Sequence, residues 1–292
     1  MPTYTLDGVP LDHPAGCWRA KVGTKRRPLP GVRAVSLKVP GRSGEIPVHG
    51  LDLEATTLPI VVGAYGIRPD GSNGGVEQLE TNLEALAAVF GVRHRLMTLT
   101  YTTGSIVRVA DVTVETTSEI ELDPGPARAR FTAVVKIPGV FWRDPIPSTW
   151  EGSANGASQP VTTFAGATGP ITDALLRITG PAVNPTVVDV ATGATIRRPS
   201  GLLAGERLLI DCAAMRASKA TIDTWDLTPG PDVVDVTGDI QATGPGSAFR
   251  WLHLTPTIGV GDPFSRVVLV TSSATSTTAA SKLEIRGRRA YL

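Results

Sequence analysis

The side chains of this 292-residue chain that could carry out chemistry are four histidines, two cysteines and a few clustered acids, and their spacing decides what they can do. His13, His49, His94 and His253 stand singly, and none has a partner at metal-ligand spacing. A hydrolase needs a nucleophile, a base and a group that orients the base. Ser43, in Arg42-Ser43-Gly44, lies in a turn without a nearby base, so the turn itself explains it. The glycines from Gly71 to Gly75 precede a helical pattern but lack the lysine and hydroxyl residue of a phosphate loop. Asp223 with Asp226 and Asp232 with Asp235 could hold a cation or flank a glycosidic bond; beside Pro-Gly turns such acids ordinarily cap and solvate the turn. Cys17 and Cys212 are too far apart in sequence to suggest a disulfide framework. These residues imply no catalysis, no cofactor and no metal.

Two clusters could bind rather than react. Arg19, Lys21, Lys25, Arg26, Arg27 and Arg33 follow one another without an acid between them, which suits phosphate or an acidic protein surface. The competing reading is a solvated loop or a charged edge strand, which the lack of interleaved aromatics favours. In the second half, Trp225 and Trp251 could stack on a sugar ring, or they could be core residues; Phe249 and Trp251 share strand parity, which suits either.

Net charge is +1, with 16 basic and 15 acidic residues in 1–150 and 12 of each in 151–292, so neither half has the charge of a nucleic-acid binder. The first twenty residues contain no continuous apolar run, and no stretch approaches eighteen apolar residues. The expectation is a chain that is neither exported by a signal peptide nor inserted in a membrane.

The elements that must position these residues are mostly strands. Val, Thr, Gly and Pro recur in short alternating runs, and helix formers concentrate in one place. Val76, Leu79, Leu83, Leu86 and Phe90 fall on one face of a helix from Val76 to Phe90, with Glu77, Glu80 and Glu84 on another and Gly91 at its end. Upstream, strands are expected over Val32 to Val39 and Ile46 to Ala64, separated by a turn at Pro40 to Gly44. The glycines between Gly63 and Gly75 predict a mobile surface loop. Downstream, His94 to Tyr101 and Ser105 to Thr116 predict a hairpin with a three- to four-residue connection at Thr103-Gly104, and Ala127 to Ile137 a further strand.

The fold class expected is mainly β, with an N-terminal β-rich domain carrying one amphipathic helix (1–147), a linker or first strand (148–170), and a C-terminal β-sandwich (171–292). Eight short strands are expected in that sandwich, among them Ala220 to Trp225 and Phe249 to Leu254.

The order of these features resembles the distal tail proteins of long, non-contractile-tailed bacteriophages. The resemblance is carried by Val39-Pro40-Gly41-Arg42-Ser43-Gly44, the glycine-rich loop into Val76 to Phe90, the hairpin, Phe141-Trp142-Arg143-Asp144-Pro145 and the sandwich that follows. Leu175 to Gly180, Gly205-Glu206 before Leu208-Leu209-Ile210-Asp211, and the ending Ala290-Tyr291-Leu292 are similar to the galectin-like or jelly-roll module of that family. The resemblance implies a virion protein of a phage with an actinobacterial host, assembled in the host cytoplasm and located at the tail tip. It implies a homo-hexameric ring whose partners are the major tail tube protein, a tail-tip hub or tail-associated protein and the tape-measure protein, with DNA only in transit through the channel. For the ring contact the expectation is Ile46 to Ala64 together with the Leu96 to Thr116 hairpin, with Leu96, Leu99, Tyr101, Val107 and Val109 as the interface residues, and the channel such a ring implies offers the basic cluster a lumen or interface role. The alternative is a carbohydrate-binding adhesin module of the tail tip using Trp225 or Trp251.

Overall fold

The computed structural model describes residues 3–24, 27–33, 43, 52–259 and 261–292. The chain divides into two units, Met1–Arg143 and Asp144–Tyr291. It is mainly β with one α-helix among the described residues. Most of the strand expected from Val32 to Val39, the turn around Pro40, the start of the run from Ile46, and Lys25 and Arg26 lie outside the described residues.

In the first unit the antiparallel order is Val9–Pro10, Thr3–Leu6, Met97–Thr103, Ile106–Thr117, Arg128–Ile137, Thr56–Tyr65 and Trp18–Ala20. Strand alternation sorts side chains by face. Ala129, Phe131, Ala133, Val135 and Ile137 are buried, and so are Ala110, Val112 and Val114 of the neighbouring strand. Thr56–Tyr65 is buried along most of its length, between Arg128–Ile137 and Trp18–Ala20. Pro59 is tolerated there because Trp18–Ala20 pairs only with residues 62–64, leaving the strand paired on one side at the proline among the described residues.

The helix runs Gly75–Phe90 and buries Leu79, Leu83, Leu86 and Phe90 against the sheet. Each such side chain contributes roughly 1.5–3 kcal/mol relative to exposure, and Phe90 meets Phe131 edge to face at 5.7 Å between centroids. Val76, expected on this face, is exposed instead, because it sits in the first turn beyond the sheet's reach. The buried position that periodicity missed is Asn82. Its Nδ2 donates to the carbonyls of Tyr65 (2.7 Å) and Ile67 (2.9 Å), while its Oδ1 accepts from Gln78. It thus satisfies the backbone where the strand leaves the sheet. Glycine is needed at Gly91 because an added Cβ would lie 2.6 Å from the Ala87 carbonyl oxygen.

The glycine-rich segment before the helix is more tied down than its composition suggests. Gly66 N–H donates to Ala127, Gly74 N–H to Gly66 and Arg68 N–H to Ser72, and the Asp70 carboxylate accepts from the Ser72 backbone and hydroxyl. Its glycines answer to close approach as much as to freedom: a Cβ on Gly66 would fall 2.1 Å from the Gly75 carbonyl oxygen.

The second unit contains two antiparallel sheets. One orders Ser148–Ser153, Lys282–Gly287, Leu175–Thr179, Arg207–Asp211, Arg216–Ala220 and Val233–Asp235; the other has Asn155–Pro160, Asp262–Thr275, Ala182–Asp189, Thr195–Arg197 and Gln241–Thr243 along its main path. Leu176, Ile178, Leu208, Ile210, Leu283 and Ile285 of the first, and Val187, Ile196, Val268 and Val270 of the second, are fully buried. Two expected strands differ. Ala220 to Trp225 stops as a strand at Ala220, and Phe249 to Leu254 is irregular apart from a single bridge at Leu254. Trp225 and Trp251 are half-buried, so neither is a core residue.

Candidate functional site

The hairpin of the first unit is set by its register. Thr103 pairs with Ile106, so only Gly104 and Ser105 form the connection, shorter than the three to four residues expected. Gly104, with φ +57, supplies the positive φ such a two-residue turn needs. Leu99 pairs with Ala110 and Tyr101 with Arg108, whereas Thr100 pairs with Val109 and Thr102 with Val107. Directly opposed residues share a face. The five residues picked for the ring contact therefore divide.

Leu99 and Tyr101 point into the core of the unit and are buried. Tyr101 packs against Tyr4 at 5.3 Å and Trp142 at 6.1 Å. As side chains, both are already used inside the subunit. Val107 and Val109 are half-buried on the opposite face, with Arg143 flanking Val109, and Leu96 is 51% exposed just before the hairpin. Ile106, at the tip and not singled out from sequence, is also exposed. The hairpin's base is anchored by Asp7, whose carboxylate accepts from Thr98 N–H at 2.8 Å and pairs with Arg95 at 2.6 Å. The hydrogen bond from Arg95 holds the Asp7 carboxyl below the usual carboxylate range.

The described members of the basic cluster do not form one surface. The Lys21 ammonium lies 4.8 Å from the Tyr65 ring centroid and the Arg27 guanidinium 5.5 Å from that of Tyr101. Arg19 is exposed and leans toward Gly16. Lys21, Arg128 and Arg130 do line a cleft of about 520 Å³, but Glu121 and Asp123 line it too, and Asp123 accepts two hydrogen bonds from Arg128. Charge in that cleft is largely compensated.

On the second unit, Trp225 belongs to a built charge cluster. Arg177 alternates outward between buried Leu176 and Ile178, yet is itself buried. Its Nε and Nη2 donate to both oxygens of Glu284 at 2.8 and 2.7 Å, and its Nη1 donates to Asp223 at 2.5 Å and to the Thr224 carbonyl. The Trp225 ring covers the guanidinium at 4.3 Å. Burial opposes the charge on Arg177, and the Glu284 and Asp223 carboxylates more than offset it, leaving its pKa raised. One face of Trp225 is thereby committed to Arg177. An arginine and a glutamate in otherwise apolar runs were visible in the sequence; that strand pairing sets them directly opposite was not.

The other acids act locally. Asp226 accepts from the Thr228 backbone and hydroxyl, and Asp235 from Thr237 N–H; these bonds hold both carboxyls below their usual range. Asp189 is different: it is fully buried, and although it accepts from the Thr192 hydroxyl (2.7 Å) and Thr255 N–H (3.1 Å), burial outweighs its hydrogen bonds from Thr192 and Thr255 and pushes its pKa up. Cys17 and Cys212 are both buried free thiols, and burial raises the pKa of each. Among the described residues no three His, Cys, Asp or Glu side chains gather as a metal site, and no helix is long and apolar enough to cross a membrane.

No protein-family model and no curated protein sequence matches the chain. Solved structures do. The SPP1 Dit (gp 19.1) protein, described as a paradigm of the hub adsorption apparatus in Gram-positive infecting phages, superposes with a TM-score of 0.62 at 13% identity, covering 100% of both chains. The chain has the fold of SPP1 Dit. Chains from the phage p2 baseplate in its activated conformation, with calcium and with strontium, match at TM-score 0.40 and 10% and 11% identity over 99% of this chain and 98% of theirs. Of the three, only the Dit likeness is close enough to fix the fold, and it does so across both β-rich units.

Proposed function

We propose that this protein is a structural component of a phage tail tip that assembles with copies of itself into a ring, joining the tail tube to the host-recognition device. The observation that carries the reading is the end-to-end likeness to the SPP1 Dit fold, which takes in both units and leaves no part of the chain over. A hexamer is the stoichiometry proposed, located at the tail tip of the virion after assembly in the host cytoplasm. Its partners would be the tube protein, a tip or tail-associated protein and the tape-measure protein, with DNA crossing the channel only in transit.

Physical chemistry supports a heterologous contact made by the first unit. The hairpin leaves Val107 and Val109 half covered on one face, with Leu96 exposed just before it, an apolar strip that a neighbouring copy can bury. Leu99 and Tyr101 support the strip from beneath rather than forming it. The helix packs on the other side of the contact sheet from the neighbour in this reading. Mass measurement in solution followed by negative-stain imaging tests it. A closed ring, lost when Val107 and Val109 are replaced together by lysine, is the expected result; a protein that remains monomeric at high concentration, alone and with the tube protein, overturns it.

A further inference from the structure

A recess of about 270 Å³ opens in the second unit between Thr172, residues 212–215 and the irregular 249–253 segment. It belongs to neither the charge cluster around Arg177 nor the hairpin strip. One wall is apolar: Met215 is exposed, and Phe249 is 87% exposed with no strand to hold it in a core. The other wall is cationic. Arg250 has no ion pair among the described residues, and no carboxylate lines the recess. Its Nη1 lies 3.3 Å from His253 Nδ1 and its Nη2 donates to the Pro245 carbonyl. A guanidinium only donates, so Nδ1 accepts and the ring proton of His253 sits on Nε2. Gly246, at φ +74, brings the backbone so close that an added Cβ would lie 2.9 Å from Arg250 Nε, which seats the guanidinium.

We propose that this recess binds an anionic monosaccharide unit, a hexuronate or a hexose phosphate, with the anion on Arg250 and the apolar face of the sugar ring on Phe249. An exposed aromatic offers its face to the C–H side of a pyranose, and arginine's planar fork matches a carboxylate or phosphate. The volume is below the usual range for larger organic ligands and suits a single sugar. The site goes beyond the ring reading and is independent of it, since a monomer would bind as well as a ring.

Titration calorimetry on the full chain with glucuronate, glucose 6-phosphate, glucose, inorganic phosphate and AMP tests it. Saturable binding of glucuronate or glucose 6-phosphate, at least about tenfold tighter than glucose, is expected, and the tighter of the two tells carboxylate from phosphate. Arg250→Gln should bring that ligand down to the affinity of glucose, and Phe249→Ala should weaken it by about five- to tenfold. Phe249 is so exposed that Phe249→Ala should leave thermal unfolding unchanged, separating lost binding from lost folding. Glucose binding as tightly as the acids, inorganic phosphate as tightly as glucose 6-phosphate, AMP more tightly than either sugar acid, or no binding up to about 10 mM each overturns the proposal.

Discussion

Two antiparallel sheets, one in each unit, treat their outward faces in opposite ways. In the second unit the row Glu284, Arg177, Leu209, Ser218 runs across four strands on the outer face of its sheet, and all four residues are buried. The chain covers that row itself: between Ala220 and Val233 it folds back so that Asp223 and Trp225 close over Arg177, Leu227 packs against the cluster of Leu209, Ala220 and Val233, and the Leu227 carbonyl accepts from Ser218. In the first unit the outer face of the hairpin has Thr98, Thr100, Thr102, Val107, Val109 and Asp111, with Leu96 exposed beside it. One face is finished within the subunit; the other keeps Val107 and Val109 half bare beside Arg143 and the exposed Asp111. The covered charge works inside the molecule, and the partly bare valines are what the proposed contact with a neighbouring copy would cover.

The comparison breaks most sharply at Arg177. Arg177→Ala leaves the buried Glu284 carboxylate with only the longer Lys282 contact at 3.7 Å and should cost about 3 kcal/mol in urea unfolding. If the pair serves only stability, replacing both partners with apolar residues, Arg177→Met with Glu284→Leu, should recover most of that loss. A small effect of Arg177→Ala would mean that the covering loop is loose and the outer face is not finished after all.

In the first unit, Asn82→Ala should cost about 1–3 kcal/mol, because the Tyr65 and Ile67 carbonyls lose their donor beneath the helix. Denaturant melts that monitor the helix check it. Asp189→Asn probes burial without an opposite charge. The raised pKa means that the fold favours the protonated acid, so the stability contributed by Asp189 is fully present below the ordinary carboxylate value and falls as pH rises through it toward the raised one. The asparagine form should gain on the natural protein as pH goes from about 3 to about 7, with the amide donating to Thr192 where the carboxylate had accepted. Parallel pH dependences for the two forms would refute this. The smallest stability effect belongs to Val109→Lys, at most about 1 kcal/mol in the isolated subunit, while ring formation by light scattering should fall away. An equal loss of stability and assembly would place Val109 in the core and erase the contrast between the two faces.

Much of the fold was legible because period and parity are local. The helix over Val76 to Phe90, the alternation of Arg128–Ile137 and the hairpin followed from side chains two, three or four residues apart. The candidate contact was only half legible. Leu99 and Val109 look equivalent as hydrophobic strand residues, and nothing in either strand alone says that register turns the first inward and the second outward. The surroundings of Trp225 and Phe249 are illegible for a related reason. Local pattern places both in strands and leaves Trp225 open between a core and a sugar face, whereas one folds over an arginine 48 positions earlier in sequence and the other stands at an open recess.

By itself the sequence determined a mainly β chain with one amphipathic helix, since these depend on composition and on spacing along a single element. Tertiary structure alone decided which face of each strand is inside, that Arg177 meets Glu284 across 107 positions, and that Arg250, His253 and Phe249 share a recess with residues 172 and 212–215. The reason is that strand pairing joins segments far apart in the chain, and a charge or an aromatic ring takes its role from the partner that pairing provides.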